Sequence, residues 1–568
     1  MTVDYTIKVG GQAGQGIQSV GGLIARAFAE VGMDVFANQD YMSRVRGGHN
    51  FFQIRASDRP VGAARDRVDI LIALDQTSID EHASEVVEGG AIVFDGEEKG
   101  FSCEGVNCFS VPLKRLAEEA GNAVMANTVA TAATWGLLGG QIDVLFGLLE
   151  KTFSDKGDKV VADNRNAARA GYEHAKEKRA RRFAFSLPQA HTSGRTLLRG
   201  IYSAGLGALA AGCRFASAYP MTPSTALSEF VATKGKDLGF VFEQAEDEIA
   251  AIHMAIGASY AGVRALVPTS GGGFCLMVEG LGLAGCSETP VVIMNGQRPG
   301  PSTGLPTRTE QADLLFAVHA SHGEFPRAVL APSSVDEAFY LMAHAFNTAD
   351  RYQIPVVVLM DQYLADTYQT VDQPDADKIV IDRGKLWDGE GDYRRHLITE
   401  DGISPRAFPG KGRALVVTTG DEHDEFGHLI ESAEIRTRQM DKRLRKMNLI
   451  SNDIPAPRIY GSPDASTAVV GWGSTFGVIS EAVDALNGEG VRVRGLHLSG
   501  LWPFPRKPFE QALAGAKRVI FVENNATGQL AQLARSETGI SADRLVSKYD
   551  GRPFTVESLT EELKKAAG

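Results

Sequence analysis

The sequence predicts an α/β protein with three α/β domains in series, and three observations lead to this prediction. First, 62 glycines and 23 prolines are spread along the chain and separate short apolar runs from stretches with helical spacing. Second, 568 residues are too many for one hydrophobic core, and domains of about 100 to 200 residues give three or four of them. Third, 43% hydrophobic and 23% charged residues are typical of globular proteins.

The first predicted domain spans residues 1–180. It opens with a strand at Tyr5–Val9, a glycine cluster, and a helix whose apolar residues recur at helical spacing from Ile17 to Val31. Further strand-like runs follow at Val68–Leu74, Ala91–Phe94 and Cys108–Val111. The charged segment from Lys176 onwards has no apolar period, so residues 181–195 are predicted to be a linker.

The second and third predicted domains span residues 196–410 and 411–568. In the second, an Ala- and Gly-rich stretch precedes apolar runs that are typical of buried parallel strands, at Ala265–Val267, Val291–Met294, Ala328–Leu330 and Val356–Leu359. A polar stretch from Asp366 to Gly412 predicts a long excursion between two compact bodies. The third domain is predicted to begin at Ala414–Val417 and to contain the runs Ala468–Val470, Val491–Val493 and Arg518–Val522.

Charge and cysteine content exclude several classes of protein. With 58 Lys and Arg against 70 Asp and Glu, the net charge is −12, which argues against nucleic-acid binding. The chain has no apolar run of about 18 residues and no cationic leader at Met1–Tyr5, so we expect a cytoplasmic protein without membrane contact. Its 5 cysteines form no CxxC pair, and we expect neither a disulfide framework nor a cysteine-ligated cluster.

Two neighbouring patterns in the first domain indicate an anion site. The cluster Gly10–Gly16 precedes a helix, where backbone amides suit a phosphate, although a tight turn that needs glycine for positive φ explains it equally well. Two arginines then precede the Gly47-Gly48 turn and His49 follows it; the arginines suit phosphate or carboxylate, and such arginines are also common on surfaces. The candidate ligands for coenzyme A or another anion are Gly14, Gly16, Arg44 and Arg46.

The second domain carries a rigid hydroxyl and a group of acids. In Tyr219-Pro-Met-Thr-Pro223, two prolines fix the backbone on either side of Thr222. Farther on, Glu246 and Glu248 precede a run of small and apolar residues, and Glu248 lies nearest to it. We expect Glu248 to be desolvated and able to share a proton with a ligand nitrogen. The alternative is an acid in the first turn of a helix, which the helix dipole favours on its own.

Three further loops combine glycine with polar residues. Thr269–Gly273 is a glycine turn that lets a ligand approach the backbone. Asn295–Arg308 is stiffened by proline and glycine and carries Arg298, Thr307 and Arg308, and arginine suits a carboxylate because its planar fork donates two parallel hydrogen bonds. Gly420–His428 contains acids and two histidines, but it lacks a recognised ligand spacing, so we interpret it as a polar loop and predict no metal site.

Six motifs, five of them described above, occur in the order found in one enzyme family. They are Gly11-Gln-Ala-Gly-Gln-Gly16, Tyr219-Pro-Met-Thr-Pro223, Gln244-Ala-Glu-Asp-Glu248, Thr269-Ser-Gly-Gly-Gly273, Arg298-Pro-Gly-Pro-Ser-Thr-Gly-Leu-Pro-Thr307 and Glu523-Asn-Asn-Ala-Thr-Gly-Gln-Leu530. Over nearly its whole length the chain resembles the α subunit of 2-oxoacid:ferredoxin oxidoreductases. Within that family it looks most like the 2-oxoglutarate:ferredoxin oxidoreductases (2-oxoglutarate synthases).

The resemblance implies a role for each domain and for the motif residues. The three domains would be a γ-type domain, a pyrimidine-binding domain for thiamine diphosphate, and a transketolase C-terminal-like domain. Glu248 would hydrogen-bond the pyrimidine nitrogen of the cofactor, with Glu246 as the alternative. Thr222 and Arg298 would contact the 2-oxoacid carboxylate. The other residues that match cofactor or substrate positions are Tyr219, Pro220, Gly272, Thr307 and Arg308.

The resemblance also shows what this chain lacks. The family holds Mg²⁺ and the diphosphate with a Gly-Asp-Gly segment followed by Asn, but here Gly157-Asp is followed by Lys and Gly420-Asp by Glu. A β subunit is therefore expected to supply Mg²⁺, the diphosphate site and a [4Fe-4S] cluster, in an (αβ)2 assembly that reduces ferredoxin.

The implied reaction converts 2-oxoglutarate, coenzyme A and oxidised ferredoxin to succinyl-CoA, CO2 and reduced ferredoxin, and its reverse fixes CO2. Three alternatives stay open. The same chemistry would serve pyruvate or a branched-chain 2-oxoacid. An iron-free thiamine enzyme of the transketolase or sulfopyruvate type would need no ferredoxin. A non-catalytic scaffold that binds coenzyme A or a nucleotide would need no Glu248.

Overall fold

The structure is a computed structural model that describes residues 3–44, 47–103, 108–178, 183–188 and 194–567. Within these ranges, strands form three sheets of eight, seven and five strands, and helices cover them, which confirms the predicted α/β class. The chain divides into two compact units. The first comprises Met1–Leu198, Thr367–Gln373 and Thr555–Ser558, and the second comprises Arg199–Asp366, Pro374–Phe554 and Leu559–Gly568.

The bounds of the elements are as follows. The strands are β1 (Asp4–Ala13), β2 (Asp34–Asp40), β3 (Gly47–Ser57), β4 (Val68–Ala73), β5 (Val86–Phe94), β6 (Cys108–Ser110), β7 (Thr196–Arg199), β8 (Cys213–Ala218), β9 (Val241–Gln244), β10 (Arg264–Ser270), β11 (Val291–Gln297), β12 (Ala328–Leu330), β13 (Pro355–Asp361), β14 (Tyr368–Val371), β15 (Arg458–Gly461), β16 (Thr467–Trp472), β17 (Val493–Leu498), β18 (Gly500–Trp502), β19 (Arg518–Glu523) and β20 (Arg544–Ser547). The helices are α1 (Ile17–Glu30), α2 (Gln76–His82), α3 (Leu113–Ala120), α4 (Ala126–Leu137), α5 (Ile142–Phe153), α6 (Asp158–Lys178), α7 (Gly200–Ala210), α8 (Thr225–Lys234), α9 (Glu248–Tyr260), α10 (Gly271–Cys286), α11 (Leu314–His319), α12 (Val335–Tyr352), α13 (Gln362–Asp366), α14 (Ala433–Asp453), α15 (Thr475–Gly488), α16 (Arg506–Ala512), α17 (Gln529–Thr538) and α18 (Val556–Ala567).

The first unit is built on the eight-stranded sheet, in the order β6-β5-β4-β1-β3-β2-β14-β7. β4 is parallel to β1, whereas β3 is antiparallel to β1 and to β2. Gly10 and Gly11, which the sequence placed in a turn, belong to β1 and pair with Phe51 and Asn50. The polar stretch from Asp366 to Gly412 was predicted to be an irregular connection throughout. Its residues Tyr368–Val371 instead form β14, which pairs with β2.

Two further expectations for the first unit are modified. The cysteines were expected to form no disulfide framework, but Cys103 and Cys108 are joined by a disulfide with Cα atoms 6.0 Å apart. The predicted linker lies partly outside the described residues. Its described part packs on the first unit, where Phe183 is buried and the Leu187 N–H donates to the Leu138 carbonyl at 3.0 Å.

The seven-stranded sheet of the second unit has the order β18-β12-β13-β11-β10-β8-β9. Strands β8 to β13 are parallel and β18 runs antiparallel to β12 at the edge. The residues of β10, β11 and β13 are all buried, which explains their continuous apolar runs. Helix α9 starts where the Asp247 carboxylate accepts from the Ala250 N–H at 2.7 Å, and the Ser334 hydroxyl caps α12 in the same way.

The five-stranded sheet has the order β15-β17-β16-β19-β20, and its core is continuous with that of the seven-stranded sheet. Ala414–Val417, the predicted start of the third domain, form no strand, and this sheet begins at Arg458. The four residues are apolar, but Leu415 is 79% exposed, so the chain there has no sheet to join. No helix in the described part of the chain combines the length and apolarity needed to cross a membrane.

Candidate active site

The candidate site lies where the parallel strands of the second unit end. The carboxyl ends of such strands meet at one edge of the sheet, which is where open α/β sheets bind ligands. Each predicted motif of the second domain follows one strand directly: Tyr219–Pro223 follows β8, Glu248 follows β9 after a short turn, Gly271–Gly273 follow β10, and Arg298 follows β11. The topology therefore brings four motifs together that are far apart in the sequence.

Glu248 is the first residue of α9 and is only 6% exposed, whereas Glu246 is exposed. A Cβ atom at Gly273 would lie 2.8 Å from Glu248 Oε1, so the glycine leaves room for this carboxylate. None of the hydrogen bonds within the described ranges uses the Glu248 carboxylate. A buried carboxylate without a protein partner is costly, and a ligand that donates a hydrogen bond would satisfy it.

Arg298 and the Tyr219–Pro223 loop are joined directly. The Arg298 guanidinium donates to the Thr222 carbonyl at 2.9 Å, and the Thr222–Pro223 peptide bond is cis. Burial lowers the pKa of Arg298 from its ordinary value, while Asp313 opposes this shift, and an arginine remains charged at neutral pH in either case. Arg298 and Thr222 thus form one half-buried cationic corner.

Sequence reasoning missed a polar cluster behind this corner, centred on Asp313. The Asn295 amide donates to the Asp313 carboxylate at 3.1 Å, and the Gln297 side-chain oxygen accepts from the Asp313 N–H at 3.1 Å. Burial raises the pKa of Asp313 to about 6, and burial together with Asp313 raises the pKa of Glu310 to about 7. The sequence signal that could have revealed this cluster is the pair of polar residues Asn295 and Gln297 at the end of an otherwise apolar buried strand.

The loop from Pro299 to Arg308 leads away from the corner. It is closed by hydrogen bonds from the Leu305 N–H to the Pro299 carbonyl and from the Arg308 N–H to the Leu305 carbonyl, both at 3.1 Å. Gly304 has φ +55°, and a Cβ atom there would lie 1.8 Å from the Pro299 oxygen, so this turn requires glycine. Thr307 and Arg308 are half-buried at the far end of the loop.

In the first unit, three of the four predicted anion ligands line one cavity. Gly14, Gly16 and Arg44 border a space of about 380 Å³, together with the amino end of α1. Gly14 and Gly16 have φ of 94° and 82°, so they are the glycines that the turn requires. The fourth predicted ligand, Arg46, lies outside the described residues.

A second buried charge cluster lies in the second unit, around Glu288 just before the amino end of β11. Glu288 accepts from Lys442 Nζ at 2.5 Å, is also paired with Lys446, and lies 3.1 Å from His396 Nδ1. Although burial alone would raise the pKa of Glu288, Lys442 and Lys446 hold it well below its ordinary value. His423, from the Gly420–His428 loop, stacks on His396 with ring centroids 3.8 Å apart. The ammonium groups of Lys442 and Lys446, which share the Glu288 carboxylate, would repel a divalent cation at this position.

Three sequence-family models match the chain in series. Residues 6–174 match the model described as pyruvate ferredoxin/flavodoxin oxidoreductase, and residues 206–442 match the thiamine diphosphate-binding model of pyruvate flavodoxin/ferredoxin oxidoreductase. Residues 465–559 match core domain II of pyruvate:ferredoxin oxidoreductase. This order agrees with the predicted series of three α/β domains.

Individual proteins and one solved structure are similar as well. The α subunit of the 2-oxoacid:ferredoxin oxidoreductase of Saccharolobus solfataricus is 33% identical, over 98% of this chain and 96% of that one. The 2-oxoglutarate synthase subunit KorA of Methanothermobacter thermautotrophicus is 35% identical, over 63% of this chain and 95% of the relative. The structure of the 2-oxoglutarate:ferredoxin oxidoreductase from Magnetococcus marinus, with 2-oxoglutarate, coenzyme A and succinyl-CoA bound, has a TM-score of 0.94 and 35% identity, and covers 100% of both chains. Identity over nearly the full length therefore makes this chain a member of the 2-oxoacid:ferredoxin oxidoreductase family, as an α subunit.

Proposed function

We propose that this chain is the α subunit of a 2-oxoglutarate:ferredoxin oxidoreductase, which converts 2-oxoglutarate, coenzyme A and oxidised ferredoxin to succinyl-CoA, CO2 and reduced ferredoxin. The observation that carries the proposal is the buried Glu248 carboxylate, which has no protein partner among the described residues and lies at the same sheet edge as the Thr222–Arg298 corner. The solved Magnetococcus marinus enzyme, similar over the full chain, supports 2-oxoglutarate as the substrate.

The site fits the aminopyrimidine of thiamine diphosphate. When bound, this cofactor supplies the electron sink that decarboxylation of a 2-oxoacid needs. Glu248 would share one proton with the pyrimidine nitrogen, donating it when the carboxyl is protonated and accepting it back when the ring is protonated, and its burial favours it over the exposed Glu246. Gly272 would let the ring approach the backbone, with Tyr219 and Pro220 bordering it.

The Thr222–Arg298 corner would bind the carboxylate next to the ketone of the substrate. Arg298 donates one hydrogen bond to the Thr222 carbonyl, and its other N–H groups suit a carboxylate. 2-Oxoglutarate has a second carboxylate, and the loop that leaves Arg298 carries Thr307 and Arg308 at its far end. This second cation is more than a monoacid such as pyruvate requires, so we assign Thr307 and Arg308 to the distal carboxylate.

The cavity in the first unit would bind an anionic part of coenzyme A. Its volume of about 380 Å³, its two glycines of positive φ and Arg44 suit a phosphate group that approaches the backbone. Gly14, Gly16, Arg44 and Arg46 would be its ligands.

The remaining parts of the reaction would come from a β subunit. In the described part of the chain, no group of cysteines lies close enough together to hold a cluster, and the sequence has no Gly-Asp-Gly segment for Mg²⁺ and diphosphate. Apolar side chains around the Glu248 site are unusually exposed: Tyr219 is 43%, Ile249 48% and Leu276 51% exposed. We propose that this face binds the β subunit, which holds Mg²⁺ and the [4Fe-4S] cluster in an (αβ)2 complex that reduces ferredoxin.

The test is to purify the chain with its β subunit and to measure viologen reduction with 2-oxoglutarate, pyruvate and a branched-chain 2-oxoacid, each with coenzyme A. We expect thiamine and iron in the complex and the highest kcat/KM with 2-oxoglutarate. A higher kcat/KM with pyruvate would contradict the substrate assignment. An iron-free active complex would indicate a transketolase or sulfopyruvate type of enzyme. A complex inactive with every 2-oxoacid would indicate a scaffold.

A further inference from the structure

The motif Glu523–Leu530 has no role in the site described so far. It contacts the residues that directly follow the Pro299–Arg308 loop, which is called the substrate loop below. It connects β19 to α17 in the part of the second unit that is built on the five-stranded sheet, called the third body below. Its contacts reach Gln311–Leu315 in the part of the same unit that is built on the seven-stranded sheet, called the second body. This segment comes three residues after Arg308. The motif therefore forms hydrogen bonds with the residues at the end of the loop that carries Arg298, Thr307 and Arg308.

Gln529 makes the clearest contacts across the two bodies. Its amide nitrogen donates to the Ala312 carbonyl at 2.6 Å, and its amide oxygen accepts from the Leu315 N–H at 3.0 Å. Both groups of this side chain are thus committed to the segment of the second body. Such a pair of bonds fixes the backbone of that segment in place and in direction.

Gln311 provides the matching contacts from the other side. It is fully buried, its N–H donates to the Asn524 carbonyl at 2.7 Å, and its side-chain oxygen accepts from the Asn524 N–H at 3.0 Å. Its amide nitrogen donates to the Trp472 carbonyl at 2.8 Å, and Asn525 donates to its carbonyl at 3.1 Å. All of these groups lie in the buried interior, where an unmade bond is expensive.

The motif is itself held rigidly by Glu523. This carboxylate is fully buried and accepts from the N–H groups of Leu530 and Ala531 at 2.9 and 3.0 Å. It also accepts from Trp472 Nε1 at 3.2 Å and from the Asn525 amide at 2.9 Å. The conformation of the Glu523–Leu530 motif is therefore fixed by its own hydrogen bonds before it contacts the second body.

A second loop of the third body touches the substrate loop itself. A Cβ atom at Gly551 would lie 3.1 Å from the Arg308 Cβ and 3.2 Å from Leu305 Cδ1, so the Gly551 backbone packs on both residues. Asn524, from the motif, donates to the Lys548 and Arg552 carbonyls on either side of Gly551, at 3.2 and 3.3 Å. The motif therefore contacts residues 311–315 directly and also holds the Gly551 loop that packs on Arg308.

We infer that Glu523–Gln529 is a positioning element for the 2-oxoacid site: it fixes residues 309–315, and through the Gly551 loop it fixes the shape of residues 299–308. The third body would then determine how well the substrate loop is formed without touching the substrate. The substrate part of this inference rests on the proposed function. The competing explanation is that these contacts only hold two bodies together.

The test compares Gln529→Ala with Asn487→Ala in the full complex. Asn487 is a matched control because its side chain also makes several hydrogen bonds, to Ser462 and Val493, and all of them stay within the third body. Loss of both Gln529 bonds should raise the KM for the 2-oxoacid about tenfold or more, with a smaller change in kcat and no change in thiamine affinity. Asn487→Ala should leave the KM unchanged.

Hydrogen exchange of residues 302–311 provides a readout that is independent of turnover. We expect these amides to exchange at least about tenfold faster in Gln529→Ala and at the normal rate in Asn487→Ala. If Gln529→Ala does not fold, Gln529→Met keeps the shape and removes the same bonds. Equal exchange in both variants, or a lower Tm with unchanged KM and exchange, would overturn the inference. If the unmodified complex turns over no 2-oxoacid, the proposed function fails and the exchange alone decides the positioning role.

Discussion

Glu248 and Glu288 are two buried carboxylates of the same unit in opposite surroundings. Glu248 is 6% exposed, and the described residues offer it no hydrogen bond. Glu288 is 1% exposed and is bonded by Lys442, Lys446 and His396. Burial is almost the same for both, so burial alone does not distinguish a ligand site from a structural ion pair. The difference lies in whether the protein itself supplies the partners.

The cost of each arrangement has a different origin. Around Glu288, removal of the carboxylate would leave ammonium groups buried without a partner, and burial already lowers the pKa of Lys442 to about 7. Around Glu248 the situation is reversed, because the unmodified protein already contains a buried carboxylate without a hydrogen-bond donor among the described residues. We therefore expect substitutions at Glu248 to affect function and substitutions at Glu288 to affect stability.

The largest expected effect is that of Glu248→Gln. The amide keeps the shape but cannot hold an ionisable proton at the cofactor, so turnover should fall by about 10²- to 10⁴-fold. The Tm should stay the same or rise, since a neutral amide is easier to bury than an unpaired carboxylate. Steady-state kinetics and calorimetry measure both. Normal activity in Glu248→Gln beside an inactive Glu246→Gln would transfer the role to Glu246.

Glu288→Gln should give the reverse result. Two buried ammonium groups would lose their counterion, and the free energy of unfolding should fall by about 3 to 5 kcal/mol. The protein that remains folded should bind thiamine diphosphate normally. Denaturant unfolding is the measurement, and Glu98→Gln is the control, because Glu98 pairs with Lys114 at the surface, where a pair contributes about 1 kcal/mol or less. A variant as stable as the unmodified protein would remove the basis of the comparison.

Arg298→Ala tests whether the cationic corner belongs with Glu248 as part of a ligand site. The substrate carboxylate would lose its charged partner, at a cost of about 2 to 5 kcal/mol in kcat/KM. Every 2-oxoacid should suffer alike, because each has that carboxylate. Arg308→Ala should weaken 2-oxoglutarate selectively, since it concerns only the distal carboxylate. Equal losses for pyruvate and 2-oxoglutarate in Arg308→Ala would contradict this assignment.

The smallest effect concerns Asp313, which is intermediate between the two glutamates because it has one side-chain donor, Asn295, and lies near Arg298. Its pKa is raised to about 6, so the folded protein keeps a proton that the unfolded chain releases near pH 4, and this contribution to stability is lost as the pH rises through 6. Asp313→Asn should therefore be more stable than the unmodified protein at pH 8, by about 2 to 3 kcal/mol, and no more stable near pH 4.

Thermal unfolding across this pH range measures the difference. Glu310→Gln is the companion variant, because the pKa of Glu310 is raised to about 7 and its titration overlaps. A stability difference that does not change with pH would show that Asp313 does not titrate in this range.

The sequence predicted those parts of the fold that depend on local pattern. The apolar runs of β10, β11 and β13 and the glycine turn before α1 around Gly16 are visible in one stretch of chain. The turn predicted at Thr269–Gly273 was wrong, because β10 runs to Ser270 and Gly271–Gly273 form the first turn of α10. Burial of Glu248 followed from its place before an apolar run. These features need no knowledge of which distant residues come together.

What the sequence could not provide was long-range pairing. The partners of Glu288 lie 108 to 158 residues farther along the chain, and no local pattern connects them. The apolar Ala414–Val417 has strand composition but no neighbouring strand, so it stays irregular. The roles of the site residues remain predictions, because burial and geometry agree with them without testing chemistry.

Strand β18 has a practical consequence for anyone who divides this enzyme into fragments. It comes from the third body, yet it pairs with β12 and covers the edge of the seven-stranded sheet. A fragment that ends before Gly500 would leave the edge of β12 open, and open edges recruit strands of other chains. Such a fragment would aggregate, whereas one from Arg199 to the carboxyl end keeps its edge covered. Expression trials should therefore treat the second and third bodies as one piece.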